Sequence, residues 1–224
     1  MIERVLPDGV IAVESFTDDP GELPFPGEED LVENAVEGRR REFVTARRCA
    51  REALAKLGHP LAPIRRGPMR EPQWPSGVAG AITHCAGYRA AAVVPKAVLS
   101  SVGIDAEPDR PLPADVEESI ALPAERQMLA SLAGSHPGIQ WDRLLFSAKE
   151  SVYKAWFPLT RQWLDFEDAR VVVHPENGFF TATVLPADAP IRTFHGRFTT
   201  GYGLIVTAVS VAAGGTSQHL LPGH

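Results

Sequence analysis

Apolar and polar positions follow two different periods along this chain. Residues 10–16 (VIAVESF) alternate between the two kinds, which predicts a strand. Residues 31–57 instead carry apolar side chains at three- and four-residue spacings and are followed by Gly58, which predicts an amphipathic helix that ends there. After a proline-rich connection, three further segments are predicted to be strands: AGAITHC, YRAAAVVPK and SSVGIDAE.

The second half of the chain repeats this order of elements. A short helix is predicted over 122–133 (LPAERQMLASLA), and a long helix over 141–159 (WDRLLFSAKESVYKAWFPL) that ends at Pro158 or shortly after it. Four strands then follow in two hairpins, and the first hairpin turns at Asn177-Gly178. Their sequences are ARVVVHP, FFTATVLP, IRTFHGRFT and GLIVTAVSV.

Two halves of this kind predict an α+β protein of two similar lobes, each a long helix packed on a small antiparallel sheet, with a cleft between the lobes. We expect the N-terminal lobe to span residues 1–108 and the C-terminal lobe to span residues 109–212. Residues 213–224 (AGGTSQHLLPGH) are expected to form a disordered tail.

Composition narrows the classes of partner. The 224 residues are 44% hydrophobic, and 28 acidic against 22 basic side chains give a formal net charge of -6, which argues against a general affinity for nucleic acid or anionic membranes. No apolar run approaches the roughly 18 residues of a membrane span. The start, MIERVLPDGV, lacks the pattern of a signal peptide, so the cytoplasm is the expected compartment. Cys49 and Cys85 are expected to be free thiols.

The long predicted helix carries a polar stripe. Ser147, Glu150, Ser151 and Lys154 share one face, because their spacing follows the turn of the helix. Apolar side chains surround this face: Leu144, Leu145, Ala148, Val152, Ala155, Trp156 and Leu159. Glu150 and Lys154 could simply form a surface ion pair that contributes about 0.3 to 0.5 kcal/mol. Helices buried on most sides rarely expose charge, however, so the stripe favours a functional role.

Two further carboxylates end a predicted strand. Asp105 and Glu107 stand two residues apart in VGIDAE, so they point to the same side of an extended chain and could hold one cation together. The alternative is a strand end followed by an acidic turn, which Pro108 and Asp109 would suit. If Glu150 joins them, the three carboxylates form an oxygen-ligand site suited to Mg²⁺ or Mn²⁺.

Candidate phosphate contacts lie mainly in the first half of the chain. His84 ends the strand AGAITHC, and alone it could be structural. Eight arginines also cluster there: Arg39, Arg40, Arg41, Arg47, Arg48, Arg51, Arg65 and Arg66. A guanidinium is well shaped for bidentate contact with phosphate, but this cluster could equally be a solvated helix face paired with the acids of residues 28–37. No P-loop or GxGxxG pattern is present.

The segments ITHC, VGIDAE and FSAKESVYKA, in this order and at these separations, resemble a known family. They look like the 4′-phosphopantetheinyl transferases of the larger, single-chain class, which activate the surfactin and enterobactin synthetases, and most like its actinobacterial members. The likeness covers nearly the whole chain, from the basic helix to KAWFPLT. Phe146 stands where many members carry Trp, a conservative change that keeps an aromatic anchor.

The resemblance implies roles for residues that match the family's motifs. Asp105, Glu107 and Glu150 match three metal ligands for Mg²⁺, for which Mn²⁺ can substitute. His84 matches a histidine on a phosphate of coenzyme A, and it shares a catalytic role with Glu150 and Lys154.

The remaining implied contacts are basic. Lys149 and Lys154 match lysines that hold the pyrophosphate and pantetheine end of coenzyme A. Arg47 matches an arginine on the 3′-phosphate, and Arg39 and Arg66 match its basic neighbours. The family fold is two pseudo-symmetric lobes in one monomer.

The implied reaction moves the phosphopantetheine arm of coenzyme A to a serine of an apo acyl or peptidyl carrier protein and releases adenosine 3′,5′-bisphosphate. The family's carriers serve siderophore, polyketide and nonribosomal peptide synthesis. Two other functional classes are open alternatives that could use the same residues. One is a Mg²⁺-dependent pyrophosphohydrolase with water as nucleophile, and the other is a binding module for coenzyme A or a carrier without catalysis.

Overall fold

The computed structural model describes residues 1–214, which form an α+β fold and confirm that prediction. The helices are α1 (Glu37–Lys56), α2 (Ala114–Ile120), α3 (Pro123–Ser135) and α4 (Trp141–Thr160). The strands are β1 (Ile11–Ser15), β2 (Val78–Cys85), β3 (Tyr88–Pro95), β4 (Leu99–Pro108), β5 (Ala169–His174), β6 (Phe179–Val184), β7 (Thr193–Gly201) and β8 (Leu204–Ala212). Among these helices, none has the length and apolarity needed to cross a bilayer. The expected disordered tail falls almost wholly outside the described residues.

The strands form two antiparallel sheets. The first sheet has the order β1-β3-β2 and the second has the order β4-β8-β7-β6-β5. β4 pairs with β8 from Leu99↔Ala212 to Pro108↔Leu204, so it belongs to the second sheet by its hydrogen bonds. The sheets therefore divide between β3 and β4, earlier than the lobe boundary expected at residue 108. Side-chain periodicity could not reveal this, because it does not name a strand's partner.

α1 covers one face of the first sheet. Its buried face joins the β2 and β3 side chains in one apolar cluster: Cys49, Ala50, Ala53, Leu54, Val78, Ala91 and Val93. The helix begins at Glu37 and not at residue 31, because residues 29–31 form a short 3₁₀ turn and Val36 is extended. Cys49 and Cys85 are both free thiols, as expected.

α4 is the central helix of the second half, and its backbone lies directly on β4. A Cβ atom at Gly103 would lie 2.0 Å from the Ser151 carbonyl oxygen and 2.7 Å from the Ala155 nitrogen. Only glycine leaves room for so close a contact between helix and strand. α4 continues two residues past Pro158 to Thr160 and is followed by Arg161, whose φ of 58° is left-handed. The predicted helix end is thus confirmed.

One predicted detail of the second half needs revision, and one is confirmed. The segment from 111 to 135 contains two helices, α2 and α3, where one short helix was predicted. Pro123 at the first position of α3 and the extended Leu122 before it separate them. The β5–β6 hairpin turns through Asn177 to Gly178, whose φ is 62°, as the Asn-Gly pair predicts.

Candidate active site

A cleft of about 1270 Å³ opens between α1, the segment 66–82 and the C-terminal half of α4. Seven cationic side chains line it: Arg39, Arg47, Arg66, Arg70, Lys96, Lys154 and Arg161. Among residues 1–214, only two carboxylates line the cleft, those of Asp30 and Glu71. The cleft is therefore strongly positive although the chain as a whole is acidic, and this concentration of charge favours an anionic ligand.

Arg47 is held in this cleft without a counter-ion. Its side chain is buried, its Nε has no hydrogen-bond partner, and within residues 1–214 it makes no ion pair. The guanidinium carbons of Arg47 and Arg66 lie 5.0 Å and 5.1 Å from the centre of the Phe43 ring. Burial lowers the pKa of Arg47 to about 10, so the group stays charged at neutral pH. An unpaired guanidinium in such a place suits bidentate contact with phosphate.

Other arginines of the basic cluster are used in the fold. They pair with carboxylates as follows: Arg41 with Glu37 at 2.7 Å, Arg48 with Glu52 at 3.0 Å, Arg51 with Glu28 at 2.9 Å and Arg65 with Asp30 at 2.6 Å. For Arg41, Arg51 and Arg65, the predicted alternative of pairing with the acids of residues 28–37 describes the structure, whereas the partners of Arg48 lie outside that range. The Arg51–Glu28 pair is fully buried, and Glu28 also accepts the Ile64 N–H at 2.7 Å, so it ties α1 to the loop that leads to the cleft.

His84 lies at the edge of the cleft, at the end of β2. Arg39 Nη1 is 3.0 Å from its Nδ1 and 2.8 Å from its Nε2, and a Glu42 oxygen is 3.6 Å from Nδ1. Burial, assisted by the charge of Arg39, lowers the pKa of His84 to about 4. The imidazole is therefore neutral at physiological pH and can donate only one N–H to a ligand.

We expect an NMR titration to show His84 remaining neutral until the pH approaches about 4. Because the unfolded chain takes up this proton near the ordinary value of 6.5, the contribution of His84 to the free energy of unfolding is complete above 6.5 and is lost as the pH falls toward 4. The His84→Asn variant identifies the resonance and should lack this component of the pH dependence. Titration of His84 near 6.5 would contradict the assigned environment.

Asp105 and Lys154 form the centre of the acidic part of the site. Lys154 Nζ lies 2.7 Å from Asp105 Oδ1, and Thr83 Oγ1 lies 3.2 Å from the same oxygen. The second oxygen, Oδ2, is buried and has no partner within the described residues. Burial opposes the charge of Lys154, but the carboxylates of Asp105 and Glu150 outweigh it and raise the pKa of the amine.

The charges of the other two candidate metal ligands are only partly compensated by neighbouring cations. Burial and the charge of Asp105 raise the pKa of Glu107 to about 7, although Arg143 lies 3.0 Å from it. Burial also raises the pKa of Glu150, against the effect of Lys154. Within residues 1–214, however, no group of three acidic, His or Cys side chains lies close enough to form a ready metal site. The three-ligand set stays a prediction.

The residues present nevertheless fit a divalent cation. The orphaned, buried Oδ2 of Asp105 is an acceptor that lacks a positive partner. The raised pKa values of Glu107 and Glu150 indicate carboxylates whose charge is poorly compensated. Carboxylate oxygens of this kind are the ligands that a hard cation prefers.

Lys149, a predicted contact of coenzyme A, is placed away from the cleft. Its amine is buried and donates to Glu125 at 2.7 Å and to the carbonyl oxygens of Ile120 at 2.8 Å and Phe166 at 2.7 Å. All three N–H groups are thus used inside the protein. Adjacent residues of a helix point about 100° apart around its axis. Lys149 therefore faces the interior of the C-terminal half while Glu150 faces a different side.

Several side chains at the site were missed from the sequence. Thr83 contacts Asp105, Arg143 pairs with Glu107, and Arg161 joins the rim of the cleft. The alternation of side chains along a strand predicts that Thr83 and the neighbouring His84 face opposite sides of β2. This pattern could have indicated that Thr83 points away from the side that His84 faces. Arg143 and Arg161 carried no comparable signal.

Two models of known protein families match most of this chain. The family model of the 4′-phosphopantetheinyl transferase N-terminal domain matches residues 27–94, and that of the 4′-phosphopantetheinyl transferase superfamily matches residues 101–208. The gap between the matches coincides with the turn from β3 to β4, where the sheets divide.

Three relatives illustrate the range of similarity. The chain is 48% identical to the 4′-phosphopantetheinyl transferase Svp of Streptomyces mobaraensis over 232 residues, which cover 100% of this chain and 94% of the relative. It is 44% identical to the 4′-phosphopantetheinyl transferase PptT of Mycobacterium tuberculosis over 223 residues, 93% of this chain and 97% of the relative. Enterobactin synthase component D of Escherichia coli strain K12 is 32% identical over 160 residues, which cover 66% of this chain and 73% of the relative.

Proposed function

The chain belongs to the 4′-phosphopantetheinyl transferase family, and from that premise we propose that it modifies a serine of apo acyl or peptidyl carrier proteins with the phosphopantetheine arm of coenzyme A. The serine oxygen forms a bond to the phosphorus on the pantetheine side. The bond from that phosphorus to the bridging oxygen breaks, and adenosine 3′,5′-bisphosphate leaves. The reaction is proposed to depend on Mg²⁺, with Mn²⁺ as a substitute.

One observation carries the proposal: a cleft lined by seven cations, among them the buried Arg47 that makes no ion pair within residues 1–214, meets a buried carboxylate that carries an orphaned oxygen. Coenzyme A has two separate clusters of negative charge, the 3′-phosphate and the diphosphate. Arg47 and Arg66 beside Phe43 suit the first cluster. Lys154 and His84, which line the same cleft, suit the second.

Catalysis by this chain would rest on position and charge. The Lys154 ammonium and the neutral His84 N–H would hold the diphosphate oxygens and stabilise the charge that grows on them. A divalent cation held by Asp105, Glu107 and Glu150 would supply further neutralisation of the diphosphate. Glu150 is the proposed acceptor of the serine proton, since its raised pKa moves it toward the range where a general base works well.

The carriers are proposed to belong to siderophore, polyketide or nonribosomal peptide synthesis, and one relative named enterobactin synthase component D supports the first of these. Both parts of the site come from one chain, which supports action as a monomer.

Intact-mass spectrometry of several apo carriers, incubated with coenzyme A and Mg²⁺, tests the function directly. We expect one phosphopantetheine arm to be added, and none when the acceptor serine is replaced by alanine or when Mg²⁺ is chelated. Consumption of coenzyme A without modified carrier would instead indicate a pyrophosphohydrolase. Binding without either product would indicate a non-catalytic module.

Arg47→Ala is expected to raise the KM for coenzyme A by about ten- to a hundredfold with little change in kcat, because a charge-assisted contact to a phosphate is worth roughly 1.5 to 3 kcal/mol. The variant should also lose the preference for coenzyme A over its 3′-dephospho form. Arg41→Ala, which removes the exposed partner of Glu37 on the same helix, serves as the matched control. An unchanged KM for Arg47→Ala would remove the assignment to the 3′-phosphate.

A further inference from the structure

We propose that Thr83 is a positioning residue that orients the carboxylate of Asp105 toward the divalent cation. Its hydroxyl holds Oδ1, which leaves Oδ2 as the oxygen available to the metal. The inference rests on the metal dependence proposed above, and it concerns a side chain that would touch neither the substrate nor the metal.

The direction of the Thr83 hydrogen bond follows from its two partners. Thr83 is buried, and its Oγ1 accepts the backbone N–H of Ala106 at 3.0 Å. A hydroxyl has a single hydrogen, and an ionised carboxylate can only accept. The hydrogen of Thr83 is therefore donated to Asp105 Oδ1, 3.2 Å away.

The two oxygens of Asp105 are consequently unequal. Oδ1 accepts from Thr83 and from Lys154 at 2.7 Å, whereas Oδ2 is buried and accepts from nothing within residues 1–214. A buried carboxylate oxygen without a partner is costly unless a ligand completes it. Rotation of the carboxylate about its Cβ–Cγ bond would exchange the oxygens, and the two donors on Oδ1 oppose that rotation.

Thr83 is the donor that stays in place during the reaction. Lys154 also lines the cleft and is proposed to contact the diphosphate, so its bond to Asp105 is shared with the substrate. The hydroxyl of Thr83 has no such second task, because both of its contacts are to β4. It thus joins the first sheet to the second at the acidic centre, while the adjacent His84 faces the cleft.

Binding of Mn²⁺, followed by electron paramagnetic resonance with and without coenzyme A, tests the inference apart from activity. Thr83→Val replaces the hydroxyl by a methyl group of similar shape, and we expect it to raise the Kd for Mn²⁺ by about tenfold or more, as loss of a partner of a metal ligand commonly does. Thr83→Ser keeps the hydroxyl and is expected to bind Mn²⁺ within about threefold of the unmodified chain.

Thr45→Val is the matched control. Thr45 is also buried, but its Oγ1 makes no hydrogen bond, so the same change of side chain should leave the Kd for Mn²⁺ unaltered. If Thr83→Val does not fold by circular dichroism, Thr83→Ala carries the same expectation, because it removes the hydroxyl without adding bulk.

The possible outcomes separate this inference from the proposed function. A folded Thr83→Val or Thr83→Ala variant that binds Mn²⁺ as tightly as the unmodified chain would overturn the role of Thr83 alone. Equal weakening by Thr83→Ser would also overturn it, since packing of the methyl group would then explain the effect. An unmodified chain that fails to bind Mn²⁺ even with coenzyme A would instead overturn the metal dependence, and this inference with it.

Discussion

Glu150→Gln is expected to lower kcat for carrier modification by about a thousandfold, with a much smaller change in the KM for coenzyme A. The substitution keeps the size of the side chain but removes both the proton acceptor and one predicted metal ligand. It also removes a carboxylate that helps to raise the pKa of Lys154. Steady-state kinetics with one apo carrier, read by intact mass, provide the measurement.

The pH dependence sharpens this test. If Glu150 accepts the serine proton, kcat falls as the pH drops through its raised pKa, because only the carboxylate form can act. The residual activity of Glu150→Gln should lack this fall of kcat at acidic pH, the acidic limb of the pH profile. Glu167→Gln, on an exposed side chain, is the control and should leave the rate unchanged. Substantial turnover by Glu150→Gln with the limb intact would assign the base to another group.

Lys149→Met is expected to destabilise the fold by about 3 to 5 kcal/mol, because it leaves the carboxylate of Glu125 buried without its counter-ion. Glu125 also accepts the backbone N–H groups of Leu122 at 2.8 Å and Val171 at 2.7 Å, so it joins α3 to β5. Denaturant unfolding provides the measurement. The KM for coenzyme A of the folded fraction should stay near that of the unmodified chain.

The double variant Lys149→Met with Glu125→Leu distinguishes a structural pair from a ligand contact. Removing both charges should recover a large part of the lost stability, since the unpaired charge is what costs most. Lys56→Met, on the exposed end of α1, should change the free energy of unfolding by less than about 0.5 kcal/mol. A stable Lys149→Met variant with a raised KM for coenzyme A would restore the assignment to the pyrophosphate.

The sequence was most informative where a period is strong. The strands β2 and β3 and the long helix α4 follow directly from side-chain spacing, and the turn at Gly178 follows from the Asn-Gly pair. Spacing could not assign β4 to the second sheet, since the pairing partner of β4 is more than ninety residues further along the chain, as the pair Glu107↔Ile205 illustrates.

For the site, residue type identified the candidates but not their surroundings. Arg47 and Arg51 are four residues apart on one helix, yet within residues 1–214 the first makes no ion pair and the second is buried against Glu28. Lys149 and Lys154 look alike in the motif, and only one of them reaches the cleft. These differences in environment depend on contacts with residues distant in sequence, and the local sequence pattern does not reveal such contacts.

The absence of a side chain at Gly103 fixes how closely β4 and α4 approach each other. Asp105 stands two residues beyond Gly103 on β4. Glu150 and Lys154 are the immediate neighbours in sequence of Ser151 and Ala155, the two residues of α4 that Gly103 approaches. Because the backbone of α4 packs directly on the backbone of β4, the helix can slide or tilt little against the strand. The 2.7 Å spacing between the carboxylate of Asp105 on the strand and the amine of Lys154 on the helix is therefore set by backbone packing and does not need a bound ligand to create it.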